Sequence, residues 1–263
     1  MNILDQIVLR KRVEVEQAKL QVSIKELEKG THFNRETYSF REFLLAKERT
    51  GIIAEFKRRS PSKGLINGTS TVAEVTKGYA AAGASALSVL TDVDFFGGHA
   101  QDLLQARAAN DIPLLRKDFM IDEYQLLEAK AWGADIILLI AAILTPAEIR
   151  HLSAFAKSLG LNVLLEVHDR EELQRSICSE LDAIGINNRN LADFTVDIQK
   201  SFELVNEIPN EFMKISESSI SSAATIKDLK QAGFNGFLIG ESFMKTSAPA
   251  AAMRDFVSEL ISV

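Results

Sequence analysis

The sequence predicts a (β/α)8 barrel with an N-terminal helical extension, and three observations support this fold class. Eight short apolar stretches rich in β-branched residues follow residue 51, with helical patterns between them. The stretches are almost continuously hydrophobic, as is typical of parallel strands covered on both faces. Several helical patterns end in a glycine, which supplies the left-handed residue that stops a helix. These glycines are Gly83, Gly133, Gly160 and Gly233.

Residues 1–50 carry helical patterns but no strand pattern. Apolar residues recur there at helical spacing, and charged residues occupy the other faces. The apolar set is Ile3, Ile7, Val8 and Val15, and the charged set is Arg10, Lys11, Arg12, Glu14 and Glu16. A second short helix is predicted over 39–46, because Ser39 precedes Glu42 by three residues, as in a capping box. We expect 1–50 to lie on a barrel formed by 51–263, within one domain.

The remaining elements follow in strict alternation. The predicted strands are 52–56, 86–90, 113–117, 135–141, 162–167, 183–187, 212–216 and 236–239. The helical stretches include 72–82, 123–132, 146–159, 170–176, 196–208 and 222–232. An open doubly wound sheet is the alternative fold, but it usually has fewer strands. The sequence also lacks both glycine-rich nucleotide-binding motifs.

Composition narrows the class of protein. The chain has 263 residues, 46% hydrophobic and 25% charged, which is typical of a globular protein. Its net charge of −6 argues against a nucleic-acid partner. A single cysteine, Cys178, indicates a reducing cytoplasm. No apolar run approaches the roughly 20 residues that span a membrane. The first residues show no basic region followed by an apolar one, so secretion is not expected. We expect a small-molecule partner and a monomer, with weak self-association left open.

Charged and polar residues gather where the predicted strands end. They include Glu55, Lys57, Lys117, Glu166, Asn187, Arg189, Glu217 and Glu241. Barrel enzymes carry their chemistry at these carboxyl ends. Glu55 and Lys57 are two residues apart, so both side chains are predicted to point into the barrel mouth. A structural ring of salt bridges is the alternative interpretation, but so many charged strand ends together favour catalysis.

Three further features describe the expected ligand. Serines follow strand 7, and Gly240-Glu241-Ser242 follows strand 8, where barrels often bind phosphate. Phe95, Phe96 and Phe119 follow strands 2 and 3 and indicate either an aromatic ligand or a loop packed on the rim. Seven cations are expected to make the mouth positive, which suits a doubly anionic substrate. They are Lys57, Arg58, Arg59, Lys63, Arg116, Lys117 and Arg189.

The other reactive residue types favour structural roles. The four histidines show no metal-ligand spacing, so no metal site is predicted. His168 is expected to face a helix, and Cys178 is expected to be half-buried and inert. The Gly-x-Ser-x-Gly motif is absent, so nucleophilic serine chemistry is not supported.

Five motifs at five strand ends resemble the indole-3-glycerol-phosphate synthase family. They are Glu55-Phe-Lys57-Arg58-Arg-Ser60-Pro61-Ser62, Leu115-Arg-Lys117-Asp-Phe119, Leu164-Leu-Glu166-Val-His168, Asn187-Asn-Arg189-Asn-Leu191 and Ile239-Gly240-Glu241-Ser242. The resemblance runs in order along the whole chain and includes the helical extension. It implies a (β/α)8 barrel and a cofactor-free lyase of tryptophan biosynthesis. The implied reaction converts 1-(2-carboxyphenylamino)-1-deoxyribulose 5-phosphate into indole-3-glycerol phosphate, CO2 and water.

The same resemblance implies roles for individual residues. Lys117 resembles the general acid of ring closure, and Lys57, oriented by Glu55, and Glu166 are acid–base groups whose division of labour in dehydration stays open. Asn187 and Glu217 would hold the hydroxyl and amine side of the substrate, and Arg189 its carboxylate. The implied apolar walls are Phe96, Phe119, Leu138, Leu191 and Leu238. The implied phosphate contacts are Ser60, Ser218, Ser219, Gly240, Glu241 and Ser242.

One position departs from the family pattern. The family usually has glycine where this chain has Ser219, so Ser219→Gly is expected to tighten substrate binding or leave it unchanged.

Two functions other than indole-3-glycerol-phosphate synthesis are less well supported by the residues. A phosphoribosylanthranilate-type isomerase would not need Lys117, and a non-catalytic phosphate sensor would not need the charges of strands 1, 3 and 5.

Overall fold

A closed barrel of eight parallel strands forms the body of the protein in a computed structural model, which describes residues 2–190 and 194–262. The strands are β1 Ile52–Phe56, β2 Ala86–Leu90, β3 Leu114–Lys117, β4 Ile136–Ile140, β5 Asn162–Val167, β6 Ala183–Asn187, β7 Met213–Glu217 and β8 Gly236–Ile239. Each strand pairs with the next, and β1 closes the barrel on β8 with Ile53 opposite Leu238. The predicted fold class is confirmed.

Helices alternate with the strands around the outside. They are α1 Ile3–Gln21, α2 Ile24–Leu27, α3 Phe40–Leu45, α4 Val72–Ala81, α5 Ala100–Ala109, α6 Glu123–Ala131, α7 Pro146–Ser158, α8 Arg170–Ser176, α9 Gln199–Leu204, α10 Ala223–Ala232, α11 Glu241–Met244 and α12 Pro249–Ser262. A two-stranded hairpin, Arg59–Ser60 with Gly64–Leu65, follows β1. All four predicted glycine stops have positive φ, between 74° and 109°.

The helix predicted over 196–208 is wrong at its N-terminal end. Val196 forms an isolated antiparallel bridge with Arg189, so its backbone is extended rather than helical. The helix α9 begins at Gln199 and continues into a 3-10 turn over Val205–Glu207. The difference arises because the segment after β6 first folds back on that strand's end, a pairing that helical periodicity does not reveal.

Alternation along the strands separates the core into two layers. In β1, Ala54 and Phe56 face the surrounding helices, whereas Ile53 faces the barrel interior. Phe40 and Leu44 of α3 join the interior layer. They lie at the amino ends of the strands, because the amide of Phe40 donates to Asn162 at the start of β5. The interior is therefore filled from its base and open only at the carboxyl ends.

The extension contacts both ends of the barrel. The predicted N-terminal cap of α3 is confirmed, since the Ser39 hydroxyl accepts from the Glu42 amide at 3.2 Å. In α1, Ile7 and Val15 are buried as the apolar pattern predicts. The buried face also includes Lys11, which was predicted to lie on another face although it is four residues from both Ile7 and Val15. Its burial depends on carboxylates supplied by the barrel.

Candidate active site

A cavity of about 320 Å³ opens at the carboxyl ends of the strands. The sequence-predicted residues that line it are Glu55, Lys57, Ser60, Phe96, Lys117, Phe119, Leu138, Glu166, Asn187, Arg189, Glu217, Ser218, Ser219, Leu238, Gly240, Glu241 and Ser242. Leu191 lies outside the described residues. The structure thus brings the predicted groups together from all eight strands and the segments that follow them.

Lys117 lies between two buried carboxylates. Its Nζ is 2.8 Å from Glu166 Oε2 and 2.9 Å from Glu217 Oε2. Burial disfavours the charged form, but the Glu166 and Glu217 carboxylates outweigh it and raise the pKa of Lys117 above its usual value. Lys117 is therefore an ammonium that can donate a proton to a developing oxyanion.

Glu166 is held as a carboxylate. Burial opposes ionisation, yet the Lys117 ammonium and His168 lower the pKa of Glu166 to about 2. The second oxygen, Oε1, accepts a hydrogen bond from Asn187 Nδ2 at 2.9 Å. The Asn187 amide is oriented in turn, because its Oδ1 accepts from Ser218 Oγ at 2.8 Å. Glu166 is thus an oriented carboxylate that faces the cavity.

Glu217 differs electrostatically from Glu166. Burial and the neighbouring Glu166 carboxylate outweigh the Lys117 ammonium and raise the pKa of Glu217 to about 7. Its carboxyl group fits because Gly185 of β6, two residues before the Asn187 that pairs with Glu217, has no side chain. A Cβ at Gly185 would come within 2.2 Å of Glu217 Oε1. Two carboxyl groups of one cavity therefore hold protons with different strength, a pattern found at acid–base sites.

Lys57 and Glu55 form a second charged pair. Lys57 Nζ lies 2.6 Å from Glu55 Oε1, and both side chains point into the cavity as predicted. Gly240 makes room for this pair, since a Cβ there would lie 2.5 Å from Glu55 Oε1. A glycine at the end of β8 thus serves packing against β1.

Two phenylalanines form one wall of the cavity. The ring centroids of Phe96 and Phe119 are 5.9 Å apart, and the rings are tilted by 40°. Leu138 and Leu238 extend the apolar lining. Both aromatic rings border the cavity, so this wall can contact a flat ligand.

The segments after β7 and β8 are joined at the opposite wall. Ser242 Oγ donates to the Ile220 carbonyl at 3.1 Å. Ser218 and Ser219 both adopt left-handed backbone conformations, with φ of 68° and 64°. Lys245 also lines the cavity near these segments, although the sequence analysis did not single it out. Its position one turn after Gly240-Glu241-Ser242 was a signal for it.

The predicted positive mouth is wrong in part. Lys57, Lys117 and Arg189 line the cavity, whereas Arg58, Arg59, Lys63 and Arg116 do not. Arg116 is buried under Trp132, 4.2 Å from that ring, and pairs with Glu128 of α6. Arg58 turns outward to Asp102 of α5. Both alternate with residues that face the barrel, so their side chains point to the helices.

The charges around the cavity are mixed. Its cations are Lys57, Lys117, Arg189 and Lys245, and its acids are Glu55, Asp118, Glu166, Glu217 and Glu241. At the rim, Glu241 lies 3.4 Å from Arg189 and 3.8 Å from Lys63. The salt-bridge ring considered from the sequence therefore exists in part, and it encloses a cavity that a ligand can enter.

The remaining predicted residues keep structural surroundings. His168 faces α8, with Nδ1 3.1 Å from Glu172, and its Nε2 lies 3.4 Å from Glu166. Cys178 is half-buried, and burial raises its pKa. Over residues 2–190 and 194–262, no group of three or more His, Cys, Asp or Glu side chains is arranged to hold a metal ion. In the same ranges, no helix has the length and apolar character to cross a membrane.

Fold and site together define a (β/α)8-barrel enzyme with a buried cluster of acidic and basic side chains at the carboxyl ends of its strands. The indole-3-glycerol phosphate synthase family model matches residues 4–256. A protein of that name from Bacteroides thetaiotaomicron is 48% identical over 259 residues, covering 98% of this chain and 99% of its own. One from Desulfotalea psychrophila is 45% identical over 245 residues, covering 93% and 94%.

The chain belongs to the indole-3-glycerol phosphate synthase family, whose members are carboxy-lyases of tryptophan biosynthesis. This decides against the isomerase and the non-catalytic sensor. Among solved structures, a mandelate oxidase variant superposes with a TM-score of 0.61 at 14% identity, over 81% of this chain and 72% of that one. At that identity the likeness concerns the fold alone.

Proposed function

We propose that the cavity closes the indole ring of 1-(2-carboxyphenylamino)-1-deoxyribulose 5-phosphate, releasing CO2 and water to give indole-3-glycerol phosphate. The observation that carries this proposal is the Lys117 ammonium, held between Glu166 and Glu217. Ring closure turns a ketone oxygen into an oxyanion, and a positioned ammonium both stabilises it and protonates it.

The first step joins the substrate's aromatic carbon to its ketose carbonyl carbon. Lys117 gives a proton to the carbonyl oxygen as this bond forms. The Phe96 and Phe119 rings supply the apolar surface against which the aromatic ring would rest. In this position the carboxylate lies on the ring carbon that must lose CO2.

The later steps need an acid and a base in one cavity. Loss of CO2 returns electrons to the ring system, and dehydration then removes the former carbonyl oxygen as water. Glu166 and Lys57 are the groups proposed to exchange protons here, with Lys57 oriented by Glu55 at 2.6 Å. Asn187 and Glu217 are proposed to hold the substrate's hydroxyl and amine groups.

Anion binding is assigned to the rim. Arg189 is proposed to meet the substrate carboxylate, since its guanidinium offers a planar pair of donors. The phosphate is proposed to rest against Ser60, the Ser218–Ser219 segment and the turn of residues 240–242. Lys245, which lines the same part of the cavity, adds a cation there.

The decisive experiment compares wild type, Lys117→Ala and Lys19→Ala. Product formation is followed by indole fluorescence after mixing with the carboxyphenylamino-ribulose phosphate. Loss of a general acid is expected to lower kcat by about 10²- to 10⁴-fold. Lys19→Ala, which removes an exposed lysine of α1, is the control and should retain activity. An inactive wild type, or full activity in Lys117→Ala, would contradict the proposal.

We also propose that residues 1–50 and 51–263 form one domain and that the protein works as a cytoplasmic monomer. Burial of Phe40 and Leu44 within the barrel's interior layer supports the single domain. Cys178, a free and half-buried thiol, is compatible with a reducing compartment. Recovery of the untagged protein in the cytosolic fraction of its own cells would test the location.

A further inference from the structure

A buried lysine of the extension reaches the barrel mouth. Lys11 of α1 is 3% exposed, and its Nζ lies 2.9 Å from Asp92, 2.9 Å from Asp118 and 2.6 Å from Glu14. Asp92 and Asp118 follow β2 and β3 and are themselves buried. One ammonium thus compensates two carboxylates that have left water, a placement that is costly without such pairing.

Each of these carboxylates also holds the backbone of a phenylalanine. Asp92 Oδ1 accepts from the amides of Phe95 at 2.9 Å and Phe96 at 3.1 Å. Asp118 Oδ1 accepts from the amide of Phe119 at 2.8 Å. The hydrogen bonds of the Asp92 and Asp118 carboxylates therefore hold the backbone of the two segments that follow β2 and β3.

The two segments carry the aromatic wall of the cavity. Phe96 and Phe119 face one another across 5.9 Å, one from each segment. The ammonium of Lys11 is linked to both ring-bearing segments through Asp92 and Asp118, from an element outside the barrel.

We infer that Lys11 is a positioning residue for substrate binding, which sets the spacing of the Phe96 and Phe119 rings. The inference rests on the proposed function, in which these rings receive the aromatic part of the substrate. Removing the ammonium takes the lysine partner from both carboxylates and leaves Asp118 with Arg116 at 3.2 Å, so the segment that Asp92 holds should shift or take up water. The reacting groups of Lys117 and Glu166 lie on the barrel side and keep their own partners.

The test separates binding from chemistry. Lys11→Met, which keeps the length of the side chain but removes its charge, is expected to raise KM at least about tenfold and to change kcat less than about threefold. Lys19→Met is the matched control, because Lys19 also joins α1 to the barrel, through Asp122 at 2.7 Å, but contacts neither carboxylate of the wall. Its KM should stay within about twofold of wild type.

A double-mutant cycle with Phe96→Leu identifies the route. If Lys11 acts through the rings, Lys11→Met should raise KM much less in the Phe96→Leu background than in wild type. Lys11→Arg, which keeps a cation in place, should lie between wild type and Lys11→Met. The cycle is run with Lys11→Arg if Lys11→Met does not fold.

Three results would overturn the inference: an unchanged KM in Lys11→Met, an equal rise in Lys19→Met, or additive effects in the cycle. A wild type without turnover would instead contradict the proposed function, so the two failures are distinguishable.

Discussion

Ser219 follows β7 in a conformation that serine rarely adopts. Its φ of 64° lies in the left-handed region, directly after Ser218 with φ of 68°. A side chain with a Cβ is strained there by about 1–2 kcal/mol. The backbone at Ser219 therefore has the left-handed conformation that glycine favours, although serine carries a Cβ.

We predict that Ser219→Gly stabilises the protein by up to about 1 kcal/mol, because relief of strain exceeds the added entropy of the unfolded chain. Thermal unfolding should shift upward by about 2–4 °C for each kcal/mol, and KM should fall or stay unchanged. Ser218→Gly is the control, since it relieves similar strain but loses the 2.8 Å hydrogen bond to Asn187. A lower melting temperature or a large loss of activity in Ser219→Gly would disprove this account.

The raised pKa of Glu217 makes the stability of the folded protein decrease as pH rises. Burial raises its pKa from 4.5 to about 7, so between these values the folded state binds a proton that the unfolded state has released. Its contribution to stability is thus complete below pH 4.5 and is lost as pH rises through 7.

We predict that wild type loses more stability between pH 5 and pH 8 than Glu217→Gln, because the amide of the variant does not titrate in this range. Urea unfolding at several pH values measures the difference. Glu241→Gln, which changes a half-buried carboxyl group at the rim, is the control and should follow wild type. Parallel curves for wild type and Glu217→Gln would refute the assignment.

At the scale of elements, Asp135 joins the extension to the base of the barrel. It is fully buried before β4, and its Oδ1 accepts from Arg35 at 2.6 Å and from the Tyr38 amide at 2.8 Å. Its Oδ2 accepts from the Leu114 amide at 2.8 Å and from Arg107 at 2.9 Å. The segment before α3, the start of β3 and the end of α5 thus meet at one carboxylate.

Asp135→Ala should therefore destabilise the protein by about 3–5 kcal/mol, because it leaves Arg107 buried without its partner. The midpoint of urea unfolding measures this loss. Glu207→Gln, which removes the partner of the exposed Arg170, is the control and should cost less than about 1 kcal/mol. A similar midpoint for the two variants would show that the buried network does not hold the extension to the barrel.

At the scale of the molecule, periodicity predicts most of the fold and nearly all of the site. Strand ends converge in any parallel barrel, so identifying Lys117 and Glu166 as strand ends was enough to bring them together. Strand alternation also indicates that Arg116 does not belong to the positive mouth. Arg116 precedes Lys117, and successive side chains of a strand point to opposite faces. The prediction of a positive mouth was partly wrong because it counted cations by their position in the chain, without assigning each side chain to a face of its strand.

The sequence could not predict what depends on distances between elements. Lys11 is a charged residue on a helix face that is otherwise apolar, and only the folded chain brings it to Asp92 and Asp118. Gly185 reads as an ordinary strand residue, yet it makes room for Glu217. Neither role has a local pattern, because the partner in each case comes from another part of the chain.

The surface of the whole chain bears on its oligomeric state. Large exposed apolar residues of the described chain gather most densely on α1 and the segment after it. They are Leu9, Val13, Leu20, Val22 and Ile24. Charged residues such as Arg12 and Glu16 lie among them. A stable dimer buries about 800 Å² on each partner in a closely packed interface, whereas charged residues interrupt this patch.

We therefore predict a monomer of 29.0 kDa in sedimentation velocity at micromolar concentration. The net charge of −6 adds repulsion between copies, so self-association should appear first at high salt and high concentration. Leu20→Lys tests the patch directly: if α1 mediates weak association, this variant should abolish it and leave turnover unchanged. A dimer that forms at low micromolar concentration and persists in Leu20→Lys would contradict both the predicted monomer and the assignment of weak association to α1.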